Sequence, residues 1–453
     1  MNCGDKYEVY VEKLTNTGLG LARIDGFVVF IENACPQDRL KIRITKLTKS
    51  YANAVIEDIV EPSSFRVRPF CPIQKVCGAC QLQHISYEKQ LDLKKEIVED
   101  VFKNIASMKD VRIFRPIASP LTRNYRHKIQ YPISQTKDSK RILAGYYKSS
   151  SHELVNIKYC PIQPQICDDI IEFIRKEAFS IGVSGYVEKV HKGELRHVVI
   201  RSSYYNNKKL IVLVVNNEKI STPIKKLAQS IFDAFEEVSG VCVNFNSKRT
   251  NAIMGKVSQC IVGCEYIEEK LLDKIFKIGA QTFFQVNPPS AENLFGYVKE
   301  YVKNNFKSPL LLDAYAGISA FGICLSDVSE QVVSIEENIK SVELAKETAR
   351  LNNIDNIEIN GGDAGEFFLK EKRKFDVIIL DPPRKGCSKQ SLDEADRLCV
   401  DTIIYVSCNP ATLARDLKYM SEEKGWAIDS VQPFDMFCHT YHIENVAIIK
   451  KCN

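Results

Sequence analysis

The chain has 453 residues, of which 45% are hydrophobic and 26% charged, and its formal net charge is +5. This composition is typical of a globular protein with about three domains. Apolar runs fall well short of the roughly 20 residues that cross a bilayer, and the first residues lack a signal-peptide core, so we expect a cytoplasmic protein without membrane contact. Sixteen cysteines in such a chain indicate metal sites, catalysis or buried thiols instead of disulfides.

The N-terminal part, residues 6–60, alternates apolar and polar positions in short runs that are broken by Gly18, Gly20 and Pro36. This alternation predicts a small antiparallel barrel of about five strands. Scattered Arg and Lys residues suit an RNA-binding module, but a solvated barrel surface explains them equally well.

A loop rich in Cys, Pro and Gly follows at Pro69–Gln83 and contains three cysteines, separated by five and then two residues, with a fourth 80 residues later. The four are Cys71, Cys77, Cys80 and Cys160. Four thiolates bind either tetrahedral zinc or a 4Fe-4S cluster, and the spacing does not choose between these centres. Four unrelated buried thiols are the alternative, and Cys167 competes for the fourth position.

The middle part begins with a helix that Ser86 is expected to cap, with apolar residues at helical spacing between Tyr87 and Ile105. From about 117 to 275, strand and helix patterns are mixed, including strand-like runs at His197–Arg201 and Leu210–Val215. The basic run at 123–128, which includes aromatic residues, suits RNA phosphates and displaced bases, with a solvated turn as an equal alternative.

From about residue 280 the pattern changes to short apolar strands alternating with helices such as Ile339–Asn352. The predicted strands are Leu310–Ala314, Val332–Glu336, Val377–Asp381, Thr402–Ser407 and Val446–Lys450. This alternation predicts a doubly wound α/β domain.

A nucleotide-like ligand is expected where the first of these strands feeds the glycine turn at 315–317. Glu336 ends the next strand 23 residues after Asp313, where a carboxylate can hold ribose hydroxyls. The turn lacks the G-x-G-x-x-G pattern of dinucleotide sites, which favours S-adenosylmethionine. Asp381 begins a DPPR sequence after another strand, and this sequence suits a methyltransferase that acts on a planar base. Asp363 is expected either to lie near the adenine or to cap a helix.

A candidate nucleophile lies at Cys408, between the strand that ends at Ser407 and a helix whose first turn Pro410 favours. A helix N-terminus stabilises a thiolate, so the thiol pKa can fall below about 8.5, although buried cysteines are also common in cores. Glu444, 36 residues later, is a candidate base. Between them, His439 and His442 are expected either to shape the pocket and contact substrate or to be satisfied core histidines.

With these motifs in place, the chain resembles the RNA uracil-5-methyltransferase family, specifically its 23S ribosomal RNA branch with a TRAM domain and a 4Fe-4S cluster. The resemblance covers nearly the whole length. Its motifs are FCPIQKVCGACQLQH at 70–84, YCPIQ at 159–163, QTFFQVNP at 281–288, LLDAYAG at 311–317, DPPRKG at 381–386, VSCNPATLARDL at 406–417 and DMFCHTYHIE at 435–444.

The resemblance implies three domains. These are an OB-like RNA-binding TRAM barrel at 1–62, a mixed α+β central domain with the iron-sulfur cluster at 63–279, and a Rossmann-like α/β S-adenosylmethionine-dependent methyltransferase domain at 280–453. The segment at about 84–116 is expected to pack either on the central or on the catalytic domain. We expect a monomer whose partner is RNA, with 23S ribosomal RNA as the substrate.

The resemblance also assigns site residues. Cys71, Cys77, Cys80 and Cys160 would hold a 4Fe-4S cluster, and Gln285, Tyr315, Glu336 and Asp381 would contact S-adenosylmethionine. Cys408 would add to C6 of uracil, and Glu444 would remove the C5 proton from the methylated adduct.

Three positions depart from the family pattern. Ser319 replaces a usual glycine in the cofactor turn, Ala316 a common cysteine, and Cys438 a usual proline. The alternative functions are a transfer RNA uracil-5-methyltransferase and a non-catalytic RNA-binding iron-sulfur protein, but the second leaves Cys408 and Glu444 unexplained.

Overall fold

The computed structural model of the chain describes residues 1–149 and 151–452. Its strands are β1 (Lys6–Tyr10), β2 (Lys13–Leu14), β3 (Gly20–Ile24), β4 (Phe27–Ile31), β5 (Arg39–Leu47), β6 (Tyr51–Glu61), β7 (Lys128–Gln135), β8 (Ile142–Tyr147), β9 (Leu154–Asn156), β10 (Leu195–Ser202), β11 (Lys209–Val215), β12 (Val238–Phe245), β13 (Val257–Gly263), β14 (Tyr266–Leu271), β15 (Lys274–Gly279), β16 (Leu310–Ala314), β17 (Gln331–Glu336), β18 (Ile357–Gly361), β19 (Phe375–Leu380), β20 (Cys399–Ser407), β21 (Trp426–Phe434) and β22 (Glu444–Lys451).

The α-helices are α1 (Tyr87–Val101), α2 (Gln165–Ser180), α3 (Thr222–Ala234), α4 (Pro288–Asn305), α5 (Ala320–Leu325), α6 (Ile339–Leu351), α7 (Ala364–Lys370), α8 (Lys389–Leu398) and α9 (Pro410–Lys424). A π-helical turn at Phe102–Ala106 continues α1. The described residues contain no helix that is both long and apolar enough to cross a membrane.

The chain folds into two compact units that both draw on distant parts of the sequence. The first unit comprises Met1–Ser119, Arg384–Gly386 and Ser407–Ala447, and the second comprises Pro120–Pro383, Cys387–Val406 and Ile448–Asn453. The three predicted domain boundaries stay a prediction.

The first unit contains a six-stranded sheet with the order β1-β5-β6-β4-β3-β2. Its alternating strands bury an aliphatic core that includes Val9, Val29, Ile31, Leu40 and Ile42. The prediction of about five antiparallel strands is wrong in two details. The sheet has six strands, because the run before Gly26 also pairs, and β4 lies parallel to β6, because β5 separates them in the chain. Whether the sheet closes as an OB-like barrel stays a prediction.

The remainder of the first unit contains α1, α9, β21 and the start of β22. Ser86 precedes α1 as expected, but its side chain makes no capping hydrogen bond. Two isolated bridges join the chain after α1 to β21, between Ile113 and Val431 and between Ile117 and Phe434. The buried half of β21 is thereby covered by a segment more than 300 residues earlier in the sequence.

The second unit contains two larger sheets. One has the order β13-β12-β11-β10-β7-β8-β9 and is mixed, because β11 and β12 are parallel whereas its other pairs are antiparallel. The mixed α+β pattern predicted for this region is confirmed, with the two strand-like runs at 197–201 and 210–215 observed as β10 and β11.

The other sheet of the second unit places five parallel strands in the order β18-β17-β16-β19-β20. Continuous apolar runs such as Leu310–Ala314 form strands of this kind because helices cover both faces of a parallel sheet. The strand order reverses between β16 and β19, and open α/β sheets bind ligands outside the carboxyl ends of the strands at such a point. The predicted doubly wound α/β architecture is confirmed.

Candidate functional site

A cavity opens at the carboxyl ends of β16 and β19, within the second unit. Its empty volume, including the part open to solvent, is about 400 Å³. The lining residues are Phe283, Phe284, Gln285, Phe295, Tyr315, Ala316, Gly317, Ile318, Ala320, Phe321 and Asp381. Three of the four predicted cofactor-contacting residues therefore lie around one cavity, at the point of the sheet where the sequence predicted a ligand.

The fourth predicted residue, Glu336, supports the wall of this cavity. One carboxylate oxygen accepts a hydrogen bond from the Gly317 amide over 2.8 Å, and the other accepts one from the Asn338 amide over 2.8 Å. The carboxylate thus fixes the turns after β16 and β17 together. A carboxylate has about four lone-pair positions, so two remain for ribose hydroxyls.

Left-handed backbone shapes the turn between β16 and α5. Tyr315, Gly317 and Ser319 have φ angles of 61°, 59° and 56°. A Cβ atom at Gly317 would meet nothing within 4 Å, so open space for a ligand lies there. Ser319 departs from the family glycine, and its hydroxyl lies 2.6 Å from that of Ser334 in the neighbouring strand. This buried hydrogen bond holds a serine in a conformation that favours glycine.

Two carboxyl groups give the cavity region an unusual electrostatic character. Burial raises the pKa of Asp381 to about 7. Burial also raises the pKa of Asp313 to about 7, the Gly322 amide opposes this rise, and the charges of Asp381 and Glu336 add to it. One oxygen of Asp313 accepts from Gly322, and the other is buried with no hydrogen-bond partner among the described residues. Carboxyls in this state are stabilised by a positively charged ligand.

Gln285 lies between this cavity and a second, smaller one. Both cavities are lined by Phe284 and Gln285, and the second also by Lys128 and Arg201. Asn287 caps α4 by accepting from the Ser290 amide, which fixes the end of the Gln285 segment. The QTFFQVNP motif therefore contributes both a cavity wall and a helix start.

The basic run at 123–128 is only partly a surface feature. Tyr125 is fully buried and His127 is 8% exposed, so neither ring is available for base stacking, which corrects the expectation for the aromatic members. Burial, together with the positive charges of the nearby Arg201 and Arg126, lowers the pKa of Lys128 to about 7. The predicted affinity of the basic members for phosphate stays a prediction.

Cys408 lies in the first unit, half-buried, directly between β20 and α9. Asn409 caps α9 by accepting from the Ala411 amide, and its side-chain amide donates to the Arg384 carbonyl over 3.1 Å. Thr412 donates to the same carbonyl over 3.3 Å. The predicted strand-to-helix junction is confirmed, and these hydrogen bonds connect the end of the DPPR motif to the start of α9.

Glu444 lies in the same unit, 4% exposed at the start of β22. The next residue, Asn445, donates a side-chain hydrogen bond to the main-chain carbonyl of Ser407 over 3.2 Å. Because Ser407 immediately precedes Cys408, this bond joins the segments that carry the two predicted catalytic residues. Asn445 has no motif signal of its own, and only the fold reveals it.

The nine residues between β21 and β22 are mostly buried, which is unusual for a loop. His439 is 5% exposed and lies with its ring nitrogen 3.2 Å from the Gln90 side chain. This histidine is thus a satisfied core residue. Asp363 likewise fulfils the alternative prediction, since it caps α7 by accepting from the Glu366 amide.

The four cysteines of the predicted cluster divide between the units. Cys71, Cys77 and Cys80 are half-buried in the first unit, whereas Cys160 is buried in the second. Burial raises the pKa of the Cys77 thiol, and the Cys71 thiol lies close enough to raise it further. Among the residues described, no group of three or more His, Cys, Asp or Glu side chains is arranged to hold a metal ion.

Comparisons with known proteins identify the family. A family model described as tRNA (uracil-5-)-methyltransferase matches residues 86–452, and a TRAM domain model matches residues 2–56. A protein of Halalkalibacterium halodurans named as an RNA methyltransferase is 36% identical over 457 residues, which cover 100% of this chain and 98% of that protein. An RNA methyltransferase of Clostridium acetobutylicum is 36% identical over 450 residues, which cover 98% of this chain and 97% of that protein.

A solved structure extends the similarity to three dimensions. The crystal structure of the Pyrococcus abyssi tRNA (uracil-54, C5)-methyltransferase in complex with S-adenosyl-L-homocysteine has a TM-score of 0.77 and 25% identity, and the match covers 98% of this chain and 100% of that one. The chain therefore belongs to the tRNA (uracil-5-)-methyltransferase family, with an S-adenosylmethionine-dependent RNA methyltransferase fold and an N-terminal TRAM domain.

Proposed function

We propose that the protein methylates C5 of a uridine in 23S ribosomal RNA through a covalent bond between Cys408 and C6 of the base. The observation that carries this proposal is the pairing, within one unit, of a half-buried cysteine and a buried glutamate on segments joined by the Asn445–Ser407 hydrogen bond. Transfer RNA is the second candidate substrate, because the Pyrococcus abyssi enzyme is named for uracil 54 of tRNA.

The nucleophile is required because C5 of uracil is a weak nucleophile. Addition of the Cys408 thiolate to C6 forms a carbon–sulfur bond and places the ring electrons on C5 as an enolate. The C5 electron pair would form the new bond to a methyl carbon whose bond to the donor's sulfonium sulfur breaks, with a neutral thioether leaving; C5 and C6 are then saturated and the ring stays attached to the protein. The α9 N-terminus follows Cys408 by two residues and favours the thiolate form.

The base is required because the methylated adduct keeps its hydrogen at C5. Glu444 takes this proton, the electrons of the C5–H bond re-form the C5=C6 double bond, and the bond from C6 to sulfur breaks. Cys408 is thereby regenerated as a thiolate. A carboxylate at 4% exposure is shielded from bulk water, so few solvent molecules compete with it for the C5 proton.

We assign the methyl donor to the cavity of the second unit. When bound, S-adenosylmethionine supplies a methyl group on a positively charged sulfur. Asp313 and Asp381 have raised pKa values, and a cationic ligand would favour their ionised forms. Gln285 and Tyr315 line the same cavity and Glu336 has acceptor positions for a ribose, so we assign the four residues Gln285, Tyr315, Glu336 and Asp381 to cofactor binding.

The RNA must present its target base outside the stack, because a stacked uracil cannot receive a nucleophile at C6. Extruding a base costs a few kcal/mol. We propose that the TRAM domain and the cations Arg123, Arg126 and Lys128 bind backbone phosphates and offset part of this cost. A monomer and a cytoplasmic location stay predictions.

We also propose that Cys71, Cys77, Cys80 and Cys160 hold a 4Fe-4S cluster. Support comes from the donor set, since thiolates are the usual ligands and Cys71 and Cys77 lie close enough for their charges to interact. The test measures iron and acid-labile sulfide in protein that is purified without oxygen. A Cys77→Ser variant is the control.

The substrate is tested by transfer of a labelled methyl group to purified 23S ribosomal RNA and to unmodified transfer RNA. Nuclease digestion followed by mass spectrometry identifies 5-methyluridine and its position. We expect label in a single region of 23S ribosomal RNA, and label confined to transfer RNA would favour the second candidate. A Cys408→Ala protein, which should label neither RNA, controls for contaminating enzymes.

A further inference from the structure

The buried face of α1 contains two polar side chains where a helix normally places apolar ones. Gln90 is 1% exposed and Lys94 is 0% exposed, beside the buried Leu91, Ile97 and Val98. Burying an amide or an ammonium costs free energy unless each hydrogen-bonding group finds a partner. All partners of Lys94, and the His439 partner of Gln90, lie in one segment, the connection at 435–443 that leads to Glu444.

Lys94 binds this connection at three points. Its ammonium donates to a carboxylate oxygen of Asp435 over 2.6 Å, to the carbonyl of Phe437 over 3.2 Å and to the carbonyl of His442 over 3.0 Å. An ammonium has three donors, so all of them are used. The acceptors lie at the start, middle and end of the connection, and the last is two residues before Glu444.

Gln90 binds the middle of the same connection. Its side-chain oxygen accepts from the His439 amide over 3.2 Å, and its nitrogen lies 3.2 Å from the His439 ring. The same nitrogen donates to the carbonyls of Leu82 and Ile85 over 3.0 Å and 2.8 Å. The Leu82 amide donates to the His439 carbonyl over 2.8 Å. His439 has a φ angle of 64°, a conformation that this set of bonds maintains.

Stability alone does not account for the Lys94–Asp435 pair. Both side chains are 0% exposed, and replacing a buried ion pair by apolar residues of similar volume is often neutral for stability. The three hydrogen bonds from Lys94 instead hold the backbone of the 435–443 connection in one conformation. General base catalysis depends on such geometry, because the base must lie within hydrogen-bond reach of the proton that it removes.

We propose that Lys94 and Gln90 are positioning residues that hold the 435–443 connection so that Glu444 reaches the C5 proton of the methylated adduct. The inference rests on the proposed role of Glu444. It assigns α1, which is outside the cofactor cavity, to the last chemical step and to no earlier one. Loss of either side chain should therefore leave adduct formation intact and slow its resolution.

The test follows the fate of the adduct on natural uridine-containing RNA with a labelled methyl donor. The variants are Lys94→Met, Gln90→Met and the double variant Lys94→Met/Asp435→Leu, which removes both buried charges and preserves volume. We expect a labelled, denaturation-resistant protein–RNA species to accumulate and release of methylated RNA to slow by about 10- to 100-fold. Lys95→Met is the matched control, since Lys95 lies on the same helix with 38% exposure.

The outcomes separate the inference from the proposed function. If Glu444→Gln accumulates the labelled species but folded Lys94 and Gln90 variants release product at the wild-type rate, the positioning role is wrong and the base stands. If Glu444→Gln does not accumulate it, the role of Glu444 is wrong and the inference fails with it. If all three α1 variants unfold, or if labelling and release fall together in proportion to folded protein, Lys94 and Gln90 serve folding alone and the inference is overturned.

Discussion

The Asn445 side-chain amide donates a hydrogen bond to the main-chain carbonyl of Ser407 over 3.2 Å. Asn445 is 0% exposed, and its amide also lies 3.3 Å from the Ile443 carbonyl as a second acceptor. Since Asn445 follows Glu444 and Ser407 precedes Cys408, one amide links the segments of the proposed base and the proposed nucleophile. The bond adds to the pairing of β20 with β22, the two strands whose ends carry these segments.

Replacing Asn445 by leucine keeps the volume and removes the donor. A buried carbonyl that loses its partner costs about 1–3 kcal/mol of unfolding free energy. We expect RNA methylation to slow by about tenfold because the ends of β20 and β22 lose this side-chain bond beside the two proposed catalytic residues, while the affinity for S-adenosylmethionine is unchanged. Calorimetric titration measures the affinity for S-adenosylmethionine, and single-turnover kinetics measure the rate of methylation. Asn305→Leu, at an exposed amide on α4, is the control, and equal losses in the two variants would contradict the assignment.

The Ser319–Ser334 hydrogen bond predicts different losses of stability for two small substitutions. Ser319→Ala keeps a Cβ atom in the left-handed conformation and leaves the buried Ser334 hydroxyl without its bond, so we expect a loss of about 1–3 kcal/mol of unfolding free energy. Ser319→Gly loses the same bond but relieves about 1–2 kcal/mol of backbone strain, so the net change should be close to zero. Denaturant unfolding of the two variants distinguishes them, and an equal loss would show that φ is unstrained.

Cofactor affinity should depend on pH through Asp381. The pKa of this carboxyl is about 7 in the free protein because it is buried, and a cationic ligand favours the ionised form. Binding therefore releases a proton near pH 6, and the affinity should rise about tenfold from pH 6 to pH 8, because one pKa unit corresponds to a factor of ten. Titration calorimetry in two buffers of different ionisation enthalpy measures the release. Asp381→Asn should reduce both effects, and affinity that falls with rising pH would refute the assignment.

Acid should destabilise the protein through His84. Burial lowers the pKa of this histidine from 6.5 to about 4. Below pH 6.5 the unfolded chain takes up a proton that the folded chain does not accept until about pH 4, so stability is present above pH 6.5 and lost as the pH falls to 4. The full shift corresponds to about 3 kcal/mol. His84→Gln keeps a donor for the Ala34 carbonyl and should unfold with a shallower pH dependence between these limits, whereas an unchanged slope would exclude the contribution.

The elements of the second unit that the sequence predicted best are its buried parallel strands. Leu310–Ala314 was predicted with the observed bounds, because a continuous apolar run between polar segments leaves little choice of register. Two strands were missed. Ile357–Gly361 has a single buried residue, and Trp426–Phe434, which lies in the first unit, contains Asp429 and Pro433, so neither shows a clear apolar pattern.

The residues that organise the site were beyond prediction for a different reason. Lys94 falls on the apolar stripe of α1, three residues after Leu91 and four before Val98, but the pattern does not say which groups would satisfy a buried ammonium or the Gln90 amide. Their partners lie more than 340 residues away in the sequence, at Asp435 and His439. Motif spacing identified Cys408 and Glu444 as candidates for chemistry, whereas the bonds that position their segments depend on tertiary contacts.

Trapping of the covalent intermediate tests the central claim most directly. RNA with 5-fluorouridine at the target position has fluorine in place of the proton that Glu444 would remove, so the methylated adduct cannot be resolved. With S-adenosylmethionine present, we predict a stable protein–RNA complex in which mass spectrometry of the digested adduct places the modified nucleotide on Cys408. The Cys408→Ala variant should form none. Absence of the complex with the unaltered protein, or its formation by Cys408→Ala, would contradict the account.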